Sequence, residues 1–162
     1  MKVDEATNAQ RLKREVPLLV VLHGANLNLL GERPAEHYGT LTLPELEELI
    51  RREAEDKGFR CRFHQTNHEG EFIELLHASR SAAAVIVNPG AWTHYSYAIR
   101  DALELVGGRV AEVHLSGIEH REHWRARSVI REVVDLSVSG EGPEGYLRAI
   151  RELDLLVREG SM

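Results

Sequence analysis

The sequence predicts a three-layer α/β sandwich built on a five-stranded parallel sheet, and three observations predict it. Short apolar runs alternate with helical patterns along most of the chain, the signature of repeated β-α units. Two runs, "PLLVVL" at 17–22 and "AAVIV" at 83–87, are apolar at every position, as a parallel strand covered on both faces requires. The helical patterns are long enough to serve as crossover connections, which are right-handed and place helices on both faces of the sheet.

Residues 1–15, "MKVDEATNAQRLKRE", have no apolar core and are expected to be a flexible extension ahead of one domain spanning 16–162. The first strand is 17–22. After the polar stretch 23–39, Thr42 and Glu45 stand at capping-box spacing around Pro44. Leu46, Leu49, Ile50 and Ala54 follow at helical intervals, and Gly58 closes that helix. The second strand is "FRCRFH" at 59–64, followed by a helix over 70–81 and the third strand at 83–87. A helix over 93–108 leads to the fourth strand, "VAEVHL" at 110–115. A short helix and loop over 118–130 precede the fifth strand, "VVDLSV" at 133–138. The last helix, 143–157, aligns Tyr146, Ile150, Leu153 and Val157 on one stripe. The expected strand order is the flavodoxin-like 2-1-3-4-5, whose ligands bind beyond the carboxyl ends of strands one and three, where the order reverses.

Composition narrows the function classes. At 162 residues, 43% hydrophobic and 28% charged, the chain fits one ordinary soluble domain. A net charge of −6 lacks the basic footprint of a nucleic-acid binder. No run approaches the roughly 20 apolar residues of a membrane span, so neither a nucleic acid nor a membrane is an expected partner. Cys61 is the single cysteine, which forbids an intramolecular disulfide and fits a cytoplasmic location. Inside a strand it reads as a buried, inert thiol.

Four strand ends carry bursts of polar residues: "HGANLNLLGERPAEHYG", "HQTNHEGE", "NPGAWTHYS" and "HLSGIEHREHWR". One such loop is ordinary turn chemistry, whereas several converging on one edge make a site. Judged singly, Gly24 and Gly31 read as turn glycines, and Asn26, Asn28 and Asn88 as turn caps. Neither a phosphate-binding loop nor a dinucleotide fingerprint is present. His120 and His123 are three apart near Glu119 and Glu122, a weaker metal signal than paired histidines four apart, and they read as solvated side chains; no metal is expected. Lys2, Lys13 and Lys57 are the lysines, and Lys57 closes an acidic helix where a cation suits the dipole, so a Schiff base is not expected. Glu112 and His114 alternate on a strand and share one face, where a carboxylate fixes the imidazole tautomer as a general acid requires. Proton transfer by Tyr, His and Arg is what remains.

The four stretches "HGANLNLLGERPAEHYG", "FHQTNHEGE", "NPGAWTHYSYAIRDAL" and "EVHLSGIEHREHWRARS", in this order, resemble the type II 3-dehydroquinate dehydratases over about residues 17–158. The resemblance implies cofactor-free anti elimination of water from 3-dehydroquinate to 3-dehydroshikimate, in the shikimate or quinate pathway. It also implies a flavodoxin-like subunit and a homododecamer built from trimers. Carried over by motif position, Tyr38 would be the base that takes a proton alpha to the ketone, with Arg33 on the same lid. Asn26 would hold the water that stabilises the enolate. His114, oriented by Glu112, would protonate the leaving hydroxyl. Asn88 and the backbone amides of Leu115 and Ser116 would bind the substrate carboxylate, and His94 and Arg125 the ring hydroxyls. Arg121 would stand near the site, and Asp101 would reach a neighbouring subunit's site.

The chain departs from the family pattern at Ala25, where proline is usual, at "RPA" 33–35 in place of R-E-P, at Trp92 for tyrosine and at Gly117 for asparagine. None of these removes a residue with an implied chemical role, but Pro34 restricts the backbone of Arg33. The alternative readings are a paralogue acting on another hydroxylated cyclic carboxylate and a non-catalytic module of the same fold. Packing alone has no use for Tyr38, Arg33, Asn26 and His114 together, which argues against the module.

Overall fold

The computed structural model describes residues 15–118 and 121–162, with the side chains of His37 and Tyr38 outside the description. In chain order the elements are β1 (Leu18–His23), a short α1 (Ala35–Tyr38), α2 (Leu43–Asp56), β2 (Arg60–Gln65), α3 (Glu69–Ala78) and β3 (Ala84–Asn88). They continue with α4 (Tyr97–Leu103), β4 (Arg109–His114), β5 (Leu136–Ser139) and α5 (Pro143–Gly160). The five strands pair in parallel in the order β2-β1-β3-β4-β5, the arrangement expected from the sequence.

The pleat sorts β1 onto two cores. Leu19 and Val21 pack with Leu46 and Ile50 of α2 and with Tyr146, Ile150 and Leu153 of α5. Val20 and Leu22 point the other way, against Phe72 and Leu76 of α3 and Ile99 and Leu103 of α4. Period-2 alternation thus converts one apolar run into the shared wall of two hydrophobic layers. Each such fully buried side chain contributes about 1.5–3 kcal/mol.

Local signals set the helix ends. Thr42 Oγ1 accepts from the Glu45 amide, and Glu45 returns a bond to the Thr42 amide, so both arms of the capping box form at the start of α2. Three expected elements are shorter than the pattern over them, the helix expected over 70–81 ending at Ala78. The 93–108 stretch first makes a 3-10 turn, Gly90–His94, and Ser96 then caps a new helix by accepting from the Ile99 amide, leaving Tyr97–Leu103 for α4. Likewise, Val133 belongs to a 3-10 turn, Arg131–Val133, and β5 begins only at Leu136. Apolar spacing is similar in a strand and in the turn leading into it, so it does not mark this boundary.

The register brings His23, Gln65 and Asn88 level at the carboxyl ends of β1, β2 and β3. Among the described residues, no helix is long and apolar enough to cross a membrane.

Candidate active site

A pocket opens at the carboxyl edge of the sheet, where β1 and β3 lie side by side. It encloses about 540 Å³, its open mouth included. The β1 loop supplies Asn26, Leu27 and Arg33; β3 and its turn supply Asn88, Gly90 and His94; β4 and its loop supply His114, Leu115, Ser116, Ile118, Arg121 and Arg125. Three strand ends therefore converge on one volume.

Close approach of the first two loops depends on Gly24. Its amide donates to the Asn88 carbonyl at 2.7 Å, and a Cβ there would stand 2.4 Å from the Pro89 carbonyl oxygen. Gly24 opens a turn as the sequence suggests, its carbonyl accepting from the Leu27 amide at 3.3 Å, and is also a close-contact glycine; Gly31, at φ +91°, is a turn glycine as expected. Asn26 also differs from its simplest reading. It adopts φ 69°, ψ 0° at the head of a 3-10 turn, yet its side chain makes no capping bond.

His114 and Glu112 meet as their alternation on β4 predicts, with Nε2 2.7 Å from Oε1 and both side chains almost fully buried. Glu112 is also held by hydroxyls. Thr93 donates to Oε1, Ser128 donates to Oε1 at 2.8 Å and Oε2 at 2.9 Å, and Ser137 reaches Oε2 at 3.4 Å. Burial alone would push this carboxyl up, but the His114 partner and the Thr93 and Ser128 hydroxyls more than offset it, holding Glu112 below the usual carboxylate value. The result is a buried carboxylate anion behind a pocket-lining imidazole. Spacing gives no clue to Thr93 or Ser128, which lie 19 and 16 residues from Glu112 along the chain.

Asn88 is oriented from both ends of its amide. Nδ2 donates to the buried Tyr146 hydroxyl at 3.1 Å, and Oδ1 accepts from the Gly90 amide at 3.1 Å. Burial raises the Tyr146 phenol, partly countered by Asn88, so it stays neutral. His94 has its Nδ1 2.7 Å from the Arg127 carbonyl, which assigns Nδ1 as the donor and leaves Nε2 as an acceptor in the neutral ring. Burial lowers the His94 pKa; the Arg127 carbonyl opposes that, while His114 and Arg125 reinforce it. Trp124, half exposed beside two of the lining residues, has the Arg125 guanidinium 4.0 Å over its ring centre and the His94 ring edge-on at 5.3 Å.

Among the expected residues whose side chains are described, Asp101 neither lines the pocket nor backs it as Glu112 does, and it is exposed on α4. Tyr38 ends α1, five residues after Arg33, and its side chain lies outside the described residues. His120, part of the metal pattern weighed above, lies outside them too. Among the described residues no three His, Cys, Asp or Glu side chains form a set that could hold a metal ion. Cys61 is partly buried, and burial, with smaller opposing effects of Arg51 and Glu55, pushes its thiol up to about 11.

Residues 17–154 match the family model described as dehydroquinase class II. This chain belongs to that family. A 3-dehydroquinate dehydratase of Pelotomaculum thermopropionicum is 48% identical to this dehydroquinase-family chain over 134 residues, covering 82% of this chain and 93% of the relative. Among solved structures, the type II dehydroquinase from Butyrivibrio crossotus superposes with a TM-score of 0.83 at 37% identity, covering 85% of this chain and 97% of that one. The type II dehydroquinase from Propionibacterium acnes gives 0.82 at 34% identity, covering 86% and 97%. The class II dehydroquinase match spans every residue of the pocket described above.

Proposed function

We propose that the pocket catalyses the dehydration of 3-dehydroquinate to 3-dehydroshikimate. The observation that carries this reading is the convergence of Asn26, Arg33, Asn88, His94, His114, Arg121 and Arg125 on one volume, with Glu112 directly behind His114. The reaction breaks a C–H bond alpha to the ketone and the C–O bond beta to it, forms a C=C bond and releases water.

Tyr38 acts as the base. A free tyrosine ionises near pH 10, and the permanent charge of Arg33 favours its anion. The electron pair of the broken C–H bond moves into an enolate, stabilised by a water that Asn26 holds. His114 then gives its proton to the departing hydroxyl, and the Glu112 carboxylate stabilises the imidazolium beforehand. The Asn88 amide and the backbone amides of Leu115 and Ser116 take the substrate carboxylate. His94, neutral and accepting at Nε2, receives a ring hydroxyl, and Arg125 donates to another. No cofactor enters these steps.

The same reading extends to assembly and location. The chain forms a homododecamer of trimers in which Asp101 reaches a neighbouring subunit's site, and it works in the cytoplasm. The exposure of Asp101, away from its own pocket, supports its reaching a neighbouring subunit. Mixing the purified protein with 3-dehydroquinate and following the conjugated enone absorbance tests the reaction: a rise in absorbance at an enzymatic rate is expected, and its absence overturns the reading.

A further inference from the structure

Asn67 follows β2 in the stretch "HQTNHEGE", outside the pocket lining, yet its side chain reaches the loop that carries Asn26. Asn67 Oδ1 accepts from the Asn26 amide at 2.8 Å and from Gln65 Nε2 at 3.0 Å. Gln65 Nε2 also donates to the Gly24 carbonyl at 3.3 Å, so two side chains from the end of β2 tie down the loop after β1.

Asn26 is the residue that needs such a tie. Among the described residues it is the one non-glycine with positive φ. L-residues avoid that region, and strain of this kind persists where the surroundings enforce it. No side-chain cap of its own holds the turn. Asn67 itself stands on a firm base: the Thr66 amide donates to the His23 carbonyl at 3.1 Å, and buried Thr66 bonds Glu71 through its hydroxyl and accepts from the His68 amide at 3.0 Å.

We propose that Asn67 is a positioning residue of the reaction, its side-chain oxygen holding the Asn26 backbone N–H and so keeping Asn26 in the left-handed conformation in which it lines the pocket, with Gln65 fixing which end of the Asn67 side-chain amide faces the loop. The inference rests on the reading of Asn26 as the residue that holds the enolate-stabilising water. Only an acceptor is required at position 67. Asp keeps one and Ala does not. Because the enolate exists only after substrate is bound, loss of the clamp acts on kcat and leaves KM nearly alone. The residues that grip the ground state are anchored elsewhere, Asn88 on Tyr146 and His94 on the Arg127 carbonyl.

The test uses the full chain. Asn67→Ala and Asn67→Asp are compared with the parent in kcat and KM for 3-dehydroquinate and in hydrogen exchange of the Asn26 amide. Asn67→Ala is expected to lower kcat by roughly 10- to 100-fold, the scale of a misplaced catalytic group, with KM within about twofold, and to speed exchange at Asn26. Asn67→Asp restores both kcat and slow exchange. Parent-like kcat in Asn67→Ala, or Asn67→Asp as slow as Asn67→Ala, overturns the proposal. If the parent itself does not convert 3-dehydroquinate, the reaction assignment fails, and unchanged exchange at Asn26 in Asn67→Ala would then sink the clamp separately.

Discussion

The His114 imidazole stands 2.7 Å from the Glu112 carboxylate, two residues back on the same strand and fully buried. This pairing supports the proposed role of His114 as the acid of the elimination. His114→Ala is expected to lower kcat by about 10²–10⁴-fold, the usual range for general acid–base catalysis. Glu112→Gln, which retains the shape but loses the charge, should do less damage. Steady-state kinetics check both, and parent-like turnover in His114→Ala removes it from the mechanism.

Ser128 donates to both Glu112 oxygens, so its contribution depends on the charge of that carboxyl. Glu112 titrates below its ordinary 4.5 in the folded chain, so the unfolded chain takes up the proton first as the pH falls. The stabilisation is therefore present above 4.5 and is lost as the pH falls through the folded pKa. Ser128→Ala should cost about 1.5–3 kcal/mol at neutral pH, the range for a hydrogen bond to a charged group. Urea unfolding should show that gap narrowing as the pH falls below 4.5. A gap that does not change with pH would contradict the charged carboxylate.

Trp124 touches both His94 and Arg125, the two residues proposed to meet ring hydroxyls. Trp124→Ala should loosen them at a cost of about 1 kcal/mol, roughly fivefold in KM, with kcat little changed. Trp124→Phe keeps a ring and should recover most of the loss. An unchanged KM in Trp124→Ala would show that the ring organises neither partner.

Away from the pocket, the capping box at Thr42 provides a stability test. Thr42→Ala should destabilise the chain by about 1 kcal/mol, with activity intact, since the cap serves only the amides that open α2. Denaturant unfolding beside an activity assay reads both.

Much of this was legible in the sequence because the signals were local. The uninterrupted apolar runs of β1 and β3 marked them as central, and the Thr42–Glu45 spacing marked a helix start to the residue. The Glu112–His114 pair was readable because strand alternation places both on one face. What escaped is held by contacts across the fold. Thr93 and Ser128 reach Glu112 from other loops, and Asn67 reaches Asn26 from 41 residues away. The second demand on Gly24, its close approach to Pro89, depends on a partner that sequence spacing does not reveal. The shortness of α4 likewise follows from Ser96, which donates to Glu69 on α3 at 2.6 Å while capping its own helix.

The proposed elimination begins with Tyr38 as the base, and Tyr38→Phe tests it most directly because it deletes one oxygen and keeps the ring. Turnover of 3-dehydroquinate by the purified variant should fall by at least about 100-fold, the lower end of the range for a general base, with thermal stability and product-analogue binding close to the parent's. Retention of more than about a tenth of the parent's turnover would contradict the account.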